Sequence, residues 1–307
     1  MYEIAVFCRN SLTEESCNSI HSFLLSQQCS DGGFQGRSKE SDLYYTAFAL
    51  ASFFALGKPL DGNSVLQYLQ KFAEKEENLD FIHLCSLLRC YNLLSLLSYP
   101  SIKEEKRQKI LSFVERYRSL DGGYHHEIPG NEHASLYGCF LAYQTYLMQG
   151  QIVPHFFSCI SSIDTLKSQD GSYSNQPGLP SGNTTSTSAA MILLDAAGKK
   201  SSADLIPWIL LHRHTSGGFL ATQKSSIPDL LSTSVALYAL YTVHYPLDSI
   251  KSPSLEFIES HWEETGGFLG TILDPIADCE YTFYALLALG VLHINLEEKS
   301  NSCKIME

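Results

Sequence analysis

Three carboxyl side chains, Glu132, Asp229 and Asp278, occupy matching places in similar stretches of the sequence. Two such groups held across a cleft can act as general acid and general base, as they do in glycoside hydrolases. A carboxylate placed just before a helix also accepts hydrogen bonds from the free backbone amides of that helix. This capping role accounts for all three residues, so we do not assign them to a sugar-cleaving site.

Two loop cations, Arg37 and Lys39, follow a glycine turn near the start of the chain. Positive side chains next to helix N-termini form anion sites, because the backbone amides there also attract negative charge. We predict an anion-binding role for this pair. The alternative is that both side chains are ordinary charges that face solvent.

Residue types that bind metals occur in two short stretches. Asp80, His83 and Cys85 lie close together, and Asp278 adjoins Cys279. Zinc prefers nitrogen, sulfur and carboxylate ligands of this kind. A single histidine on a helix is more often part of a hydrogen-bonded core, and we assign no metal to either stretch.

A recurring phrase in the sequence positions these residues. It consists of a glycine turn, a short loop, an acidic or amide anchor, and an apolar run that opens with aromatic or small residues. The six anchors are Asp42, Asp80, Glu132, Asn183, Asp229 and Asp278. Successive anchors lie about fifty residues apart, which is typical of a repeat protein.

The local chemistry of each repeat predicts a helical hairpin. Glycines such as Gly32 and Gly33 allow a turn after one helix, and the anchor then caps the next helix. Because the last repeat is as apolar as the middle ones and shows no capping unit, six hairpins predict a closed ring with inner and outer helices. We therefore predict a single all-α domain over residues 1–294 and a polar tail over residues 295–307.

Composition narrows the class of protein and its partners. The net charge of −12 disfavours binding to nucleic acid or to an anionic membrane, which both need a basic surface. No run of residues is long and apolar enough to predict a transmembrane segment. The nine cysteines are scattered, and an odd number without paired spacing predicts reduced thiols. From these features we predict a cytoplasmic protein.

The repeated phrase resembles the repeats of protein prenyltransferase beta subunits and of squalene and terpene cyclases. The resemblance rests on Gly32-Gly33-Phe34 with Asp42-Leu43-Tyr44-Tyr45-Thr46, and it extends from about Asn18 to Leu292. It implies an alpha-alpha toroid, an α6/α6 barrel, whose central apolar cavity holds an isoprenoid or a prenyl diphosphate. A helical partner subunit is also implied, because prenyltransferase beta subunits work with one.

The resemblance also maps the prenyltransferase zinc ligands onto this chain. They fall on Asp229, Leu231 and Tyr281. Leucine cannot bind zinc and a neutral tyrosine binds it poorly, so two of the three ligands are missing. Lys224 is the cation in the loop where prenyltransferases bind diphosphate. We assign no cofactor, and we expect zinc only in an altered site.

The cyclases of this superfamily place an acid in the middle of the corresponding phrase, where this chain has Glu280. Such chemistry needs a carboxyl group kept protonated by apolar surroundings, and aromatic faces that stabilise a carbocation. The aromatic residues spaced to line the cavity are Tyr44, Tyr45, Phe48, Tyr137, Tyr281, Phe283 and Tyr284.

Three hypotheses follow, which we rank in this order. The first is a prenyltransferase-like enzyme that binds an isoprenoid diphosphate and works with an altered or absent zinc site. The second is a metal-free class II terpene cyclase that uses Glu280 as its acid, and the third is a non-catalytic toroid that binds a lipid or a protein. The predicted catalytic residues are Glu280 and Asp278, and the predicted substrate-binding residues are Arg37, Lys39, Tyr44, Tyr45, His133, Tyr137, Lys224, Asp229, Tyr281 and Tyr284.

Overall fold

The computed structural model describes residues 1–294; the predicted polar tail, 295–307, lies outside the described residues. In chain order the α-helices are α1 (Tyr2–Ala5), α2 (Glu14–Ser26), α3 (Leu43–Leu56), α4 (Gly62–Ala73), α5 (Phe81–Leu96), α6 (Glu104–Val114), α7 (Leu136–Met148), α8 (Phe156–Ser162), α9 (Thr184–Ala196), α10 (Ile206–Leu211), α11 (Leu230–Thr242), α12 (Asp248–Glu259) and α13 (Cys279–His293). Short 3-10 turns extend several of them, at Val6–Asn10, Glu76–Asn78, Glu115–Tyr117, Ile163–Leu166 and Lys200–Leu205. Two short antiparallel strands, β1 (Phe34–Gln35) and β2 (Ser41–Asp42), lead into α3.

The helices form a closed double ring. From α3 onward the odd-numbered helices form the inner layer, in which each packs against the next and α13 returns to pack against α3. The even-numbered helices from α2 to α12 form the outer layer. The predicted alpha-alpha toroid of six helical hairpins is therefore confirmed. Within residues 1–294, no helix has both the length and the apolar content needed to cross a membrane.

Burial explains why the inner helices look different from the outer ones in sequence. In α3 every residue from Thr46 to Phe53 is buried, because the helix contacts neighbours on all sides. In α4, by contrast, only one stripe is buried, which includes Val65, Tyr68 and Leu69. A helix with one apolar stripe suits an outer layer that faces solvent on the other side.

Each inner helix begins at a side chain that accepts a hydrogen bond from a free backbone amide of the first turn. The six caps are Asp42, Asp80, Ser135, Asn183, Asp229 and Asp278. Five are the predicted anchors, but the prediction of Glu132 was wrong. Glu132 is exposed and lies before the helix, whereas the Ser135 hydroxyl accepts from the Gly138 amide at 3.1 Å.

Polar contacts between the first and last repeats help to close the ring. The Arg37 Nε donates to Asp278 Oδ2 at 3.0 Å, and the terminal Nη2 of Arg37 donates to Asp274 Oδ2 at 3.1 Å. Gly266 has a φ of +96°, and a Cβ at this position would collide with the Ser19 carbonyl oxygen on α2. The loop before α13 thus fits directly against α2.

The N-terminal segment, residues 1–10, closes one end of the ring, which the sequence did not predict. It packs against α3 and α13 near their C-termini. The Arg9 guanidinium donates to the Phe54 and Ala55 carbonyl oxygens, and the Asn10 amide donates to the His293 carbonyl oxygen. The inner-helix N-termini lie at the opposite end of the ring.

His83 links the caps of two adjacent inner helices. Its Nε2 lies 3.0 Å from Asp42 Oδ2, and its Nδ1 lies 2.8 Å from Asp80 Oδ1. The hydrogen bond with Asp42 is the main reason that the His83 pKa rises from 6.5 to about 9, and it outweighs the opposing effect of burial. His83 is therefore a charged bridge between α3 and α5 at neutral pH.

This bridge predicts a pH dependence of stability. Because the folded-state pKa is raised, the contribution is complete below about pH 6.5 and is lost as the pH rises through about 9. We expect the free energy of unfolding of His83→Gln to lie below that of wild type by on the order of 1 kcal/mol at pH 6. The difference should vanish near pH 10 in urea melts.

The exposed His155 provides the control, since its left-handed backbone tolerates asparagine. His155→Asn should leave the pH profile as in wild type. A stability difference between wild type and His83→Gln that is constant with pH would contradict the charged bridge.

Candidate functional site

One register position on the inner helices points to the centre of the ring. The residue two places after the cap lines a central cavity in five of the six repeats. These residues are Tyr44, Tyr137, Thr185, Leu231 and Glu280. The caps themselves are engaged by backbone amides, so the chemistry of the cavity depends on the second residue after each cap.

The cavity is mostly apolar. Its volume is about 230 Å³, counted as space open to the centres of water-sized groups. It is lined by Met1, Tyr44, Tyr137, Phe140, Asn175, Thr185, Ser186, Ala189, Ile192, Leu231, Val235, Tyr238, Glu280 and Tyr284. Since one water takes about 30 Å³ in the liquid, there is room for roughly eight such groups.

Glu280 is the only carboxyl group among the lining residues of this cavity. The Tyr44 hydroxyl donates a hydrogen bond of 2.6 Å to Glu280 Oε1 across the contact between α3 and α13. Tyr44 and Glu280 are 236 residues apart in sequence and meet because the ring closes. The closure therefore assembles an acid and a phenol on one wall of the cavity.

The surroundings of Glu280 favour its protonated form. Burial is the main cause, and it raises the pKa of Glu280 from 4.5 to about 7. The hydrogen bond from Tyr44 acts in the opposite direction, as do the positive charges of Arg37 and Arg89, while Asp278 raises the pKa further. At neutral pH this carboxyl group is thus divided between its acidic and basic forms.

Aromatic rings surround the acid. The Tyr44 and Phe48 rings meet edge to face with centroids 4.9 Å apart, and the Phe48 and Tyr284 centroids are 5.4 Å apart. Burial raises the pKa of Tyr137 to about 12 and that of Tyr284 well above its ordinary value, so both hydroxyls stay protonated. Neutral rings of this kind present electron-rich faces to the cavity.

Asp278 and Tyr281, the remaining predicted residues of the last repeat, are not among the cavity-lining residues. Asp278 caps α13 by accepting from the Tyr281 amide at 2.9 Å, and burial raises its pKa. The Arg37 guanidinium pairs with Asp278 and lies 5.4 Å from the centre of the Tyr281 ring. Tyr45 packs edge to face against Tyr44 outside the set of cavity-lining residues.

Four other predicted residues lie away from the cavity wall. Lys39 and Lys224 are exposed in loops, and His133 is half-exposed beside Asp121. Asp229 caps α11 by accepting from the Ser232 amide at 2.7 Å. Their assignment to substrate binding stays a prediction.

The residues that the family uses for zinc do not form a metal site in this chain. The Asp229 carboxylate is occupied as a cap, the Leu231 side chain lines the cavity without a lone pair, and Tyr281 packs under Arg37. The other candidate, His83, has both ring nitrogens bonded to carboxylates. Across residues 1–294, no group of three or more His, Cys, Asp or Glu side chains is placed to hold a metal ion.

Sequence reasoning missed several polar groups near the cavity. Asn175, Thr185 and Ser186 line it, and Arg89 is buried nearby on α5 with its Nε 2.7 Å from the Tyr2 hydroxyl. A signal for Thr185 was available, since it is two places after a cap. Arg89 carried no comparable signal, because its partner comes from the N-terminal segment.

The sequence also matches a known protein family. The family model described as the prenyltransferase alpha-alpha toroid domain matches residues 4–83, 63–192 and 184–306. The chain belongs to this family. Its predicted membership in the prenyltransferase and terpene cyclase superfamily is thereby confirmed. No curated protein matches the sequence.

Solved structures share the toroid fold of the family. Protein geranylgeranyltransferase-I of Candida albicans, complexed with GGPP, is 16% identical over 95% of this chain and 99% of that chain, with a TM-score of 0.63. The apo type II terpene cyclase MstE of Scytonema is 14% identical over 91% of this chain and 96% of that chain, with a TM-score of 0.59.

A third similar structure is an enzyme of another class. The GH76A alpha-1,6-mannanase from Salegentibacter is 12% identical over 91% of this chain and 98% of that chain, with a TM-score of 0.60. At identities this low the likeness shows the fold alone. Because the three neighbours carry three different named activities, the fold does not select one, and function must be argued from the site.

The protonation of Glu280 predicts a second pH effect. Because the folded protein binds this proton more tightly than the unfolded chain, the free energy of unfolding should fall as the pH rises from about 4.5 to 7. The fall attributable to Glu280 should be roughly 2 to 3 kcal/mol. Glu280→Gln should lack it in urea melts over that range.

The exposed Glu264 supplies a matched control, and Glu264→Gln should titrate as wild type does. Tyr44→Phe should raise the pKa of Glu280 further, as followed by carboxyl infrared absorption, because it removes the hydrogen bond that favours the carboxylate. An unchanged Glu280 pKa in Tyr44→Phe would show that this hydrogen bond has no part in the titration.

Proposed function

We propose that this protein binds an isoprenoid chain in its central cavity and that Glu280 protonates the chain, as the acid of a class II terpene cyclase does. The observation that carries the proposal is the position of Glu280. It lies on the wall of an aromatic cavity, next to Tyr44 and with a pKa of about 7. This position supports proton-initiated chemistry more than prenyl transfer.

The lining of the cavity supports an isoprenoid as the ligand. Leu231, Val235, Ile192 and Phe140 provide apolar contact surface, and an isoprenoid offers little besides apolar surface in return. Room for roughly eight water-sized groups suits a single short isoprenoid chain. Such a ligand would gain its affinity from burial rather than from hydrogen bonds.

The proposed step uses groups that the chain itself provides. The O–H bond of the Glu280 carboxylic acid breaks while the π electrons of an alkene form a C–H bond, which leaves a carbocation on the ligand. The Tyr44 hydroxyl stabilises the carboxylate that remains. Ring closure and return of a proton from the cation would give an isomer of the substrate and regenerate the acid, with no further reactant.

The aromatic wall suits the cation that this step creates. The faces of aromatic rings attract positive charge electrostatically. Tyr44 and Tyr284 line the cavity, and Phe48 packs against both rings outside the set of lining residues, which holds them in place. Preorganised groups of this kind stabilise developing charge without having to reorient.

Prenyl transfer, which the repeat resemblance favoured, has less support from the side chains. The Arg37 guanidinium is paired with Asp274 and Asp278, and Lys39 and Lys224 are exposed. The zinc positions of the family do not fit a metal in this chain. A helical partner subunit and a cytoplasmic location stay predictions.

Incubation with linear isoprenoids tests the proposal. Purified protein should convert a farnesyl or geranylgeranyl substrate, supplied as alcohol, acid, diphosphate or terminal epoxide, into a product of equal mass by gas chromatography and mass spectrometry. Glu280→Gln should lower kcat by roughly 10²- to 10⁴-fold while still binding the chain. Glu264→Gln should keep full activity.

Two outcomes would reject the assignment of Glu280. One is turnover that survives Glu280→Gln. The other is release of diphosphate with a mass increase on an added thiol peptide, which would establish prenyl transfer instead. Binding of the isoprenoid without any turnover would favour the non-catalytic toroid.

A further inference from the structure

Arg89 is a buried cation inside the ring. It lies on the inner helix α5, nine residues after the Asp80 cap, and only 6% of its surface is exposed. A charged side chain is rarely enclosed to this extent unless it is paired, because removing it from water costs several kcal/mol. The group that balances the charge of Arg89 therefore bears on the function of the protein.

The protein surrounds Arg89 with neutral groups. Its Nε donates to the Tyr2 hydroxyl at 2.7 Å, and its guanidinium lies 5.1 Å from the centre of the Phe48 ring and 5.7 Å from that of Tyr2. Within residues 1–294, no carboxylate forms an ion pair with Arg89. The positive charge is thus not neutralised by direct contact.

The terminal nitrogens of Arg89 border open space. They have no hydrogen-bond acceptor among the described residues, yet they are not among the fully enclosed polar atoms that lack a partner. The Phe48 ring, which the Arg89 guanidinium contacts, packs against Tyr44 and Tyr284, and both of these line the central cavity. Arg89 itself is not among the cavity-lining residues, but it occupies the same register as Ile192 and Tyr238, the ninth residues after their caps, which do line the cavity. The side chain therefore faces the inner end of the ring, one layer behind the cavity wall.

The position of Arg89 along the ring axis differs from that of Glu280. Arg89 is nine residues beyond its cap, whereas Glu280 is two residues beyond its own. With a rise of 1.5 Å per residue, this difference corresponds to about 10 Å. The cation is thus deep, beside the N-terminal segment that closes the ring, and the acid is near the inner-helix N-termini.

We propose that Arg89 and the Tyr2 hydroxyl form a binding site for an anionic terminus of the ligand, a carboxylate or a phosphate. The site rests on the proposed function for the apolar part of the ligand. An isoprenoid with its charged end on Arg89 would place an alkene, about two isoprene units away, beside Glu280. The anion would pair with the positive charge of Arg89, which has no carboxylate partner among the described residues. The Tyr2 hydroxyl remains free to donate a hydrogen bond to the anion.

Ligands that share one chain and differ at the terminus test this site. Isothermal titration calorimetry would compare farnesol with farnesoic acid, farnesyl phosphate and farnesyl diphosphate. Wild type should bind at least one anionic form roughly 10- to 100-fold more tightly than the alcohol. The tightest of the three anions identifies whether the terminus is a carboxylate or a phosphate.

Variants then assign the preference to Arg89. Arg89→Met should bind the anion and the alcohol equally, with the alcohol affinity unchanged, whereas Arg89→Lys should retain part of the preference. Arg116→Met is the matched control, because Arg116 also lies over an aromatic ring but is exposed outside the cavity. Circular dichroism would establish that each variant is folded.

Equal affinity of wild type for the alcohol and all three anions would overturn the site, even if no Arg89 variant folds. So would an anion preference that survives Arg89→Met. A different result would reject the proposed function. If the protein binds anionic ligands selectively but converts none of them, the catalytic role of Glu280 is rejected and the anion site is retained. If the protein converts the ligands without anion selectivity, the anion site is rejected and the catalytic role of Glu280 is retained. The absence of any binding would reject both proposals.

Discussion

The fold depends on satisfying the free backbone amides at six inner-helix N-termini, which lie at one end of the ring. An uncapped helix end in such a place would leave polar groups without partners. A side-chain cap accepts from these amides in each inner helix, and in several helices an acceptor in the loop of the following repeat does so as well. The Leu230 amide donates to the Gly270 carbonyl, the Thr184 amide to the Ala221 carbonyl, and the Tyr137 amide to the Asn175 side chain. These contacts at the helix N-termini therefore fasten three of the repeats to the repeat that follows.

This constraint separates structural residues from functional ones. A cap such as Asp229 or Asp278 is held by the amides that it accepts from, so its carboxylate is largely committed to structure. The residue two places later is positioned by the same helix turn but points to the centre of the ring. The identity of that residue can change from Leu231 to Glu280 without disturbing the cap. The repeat can thus keep its fold while the cavity changes its chemistry.

Much of this was predictable from the sequence, and the failures have physical causes. The repeat period, the glycine turns and five of the six caps are local signals, and they gave the ring. The prediction of Glu132 was wrong because the repeat phrase fixes the anchor only approximately, whereas the helix starts at Leu136 and Ser135 stands directly before it. The cavity position of Glu280 was predicted through the family resemblance. The N-terminal segment that closes the ring has no repeat and no local signal, so neither its place nor the Tyr2 contact with Arg89 was predictable.

The distribution of charge explains why the exposed cations are poor guides to the ligand. Arg37 stands in a loop beside the repeat phrase, which predicted an anion-binding role. In the structure two carboxylates neutralise its charge, and it helps to close the ring. Arg89 stands in the middle of an apolar helix, where the sequence suggests only burial. A buried charge is costly, so its retention next to a cavity needs a counter-charge, and Glu280 supplies only part of one because burial keeps it near half protonation at neutral pH. The ligand that we propose, apolar along its length and negative at one end, would supply that counter-charge.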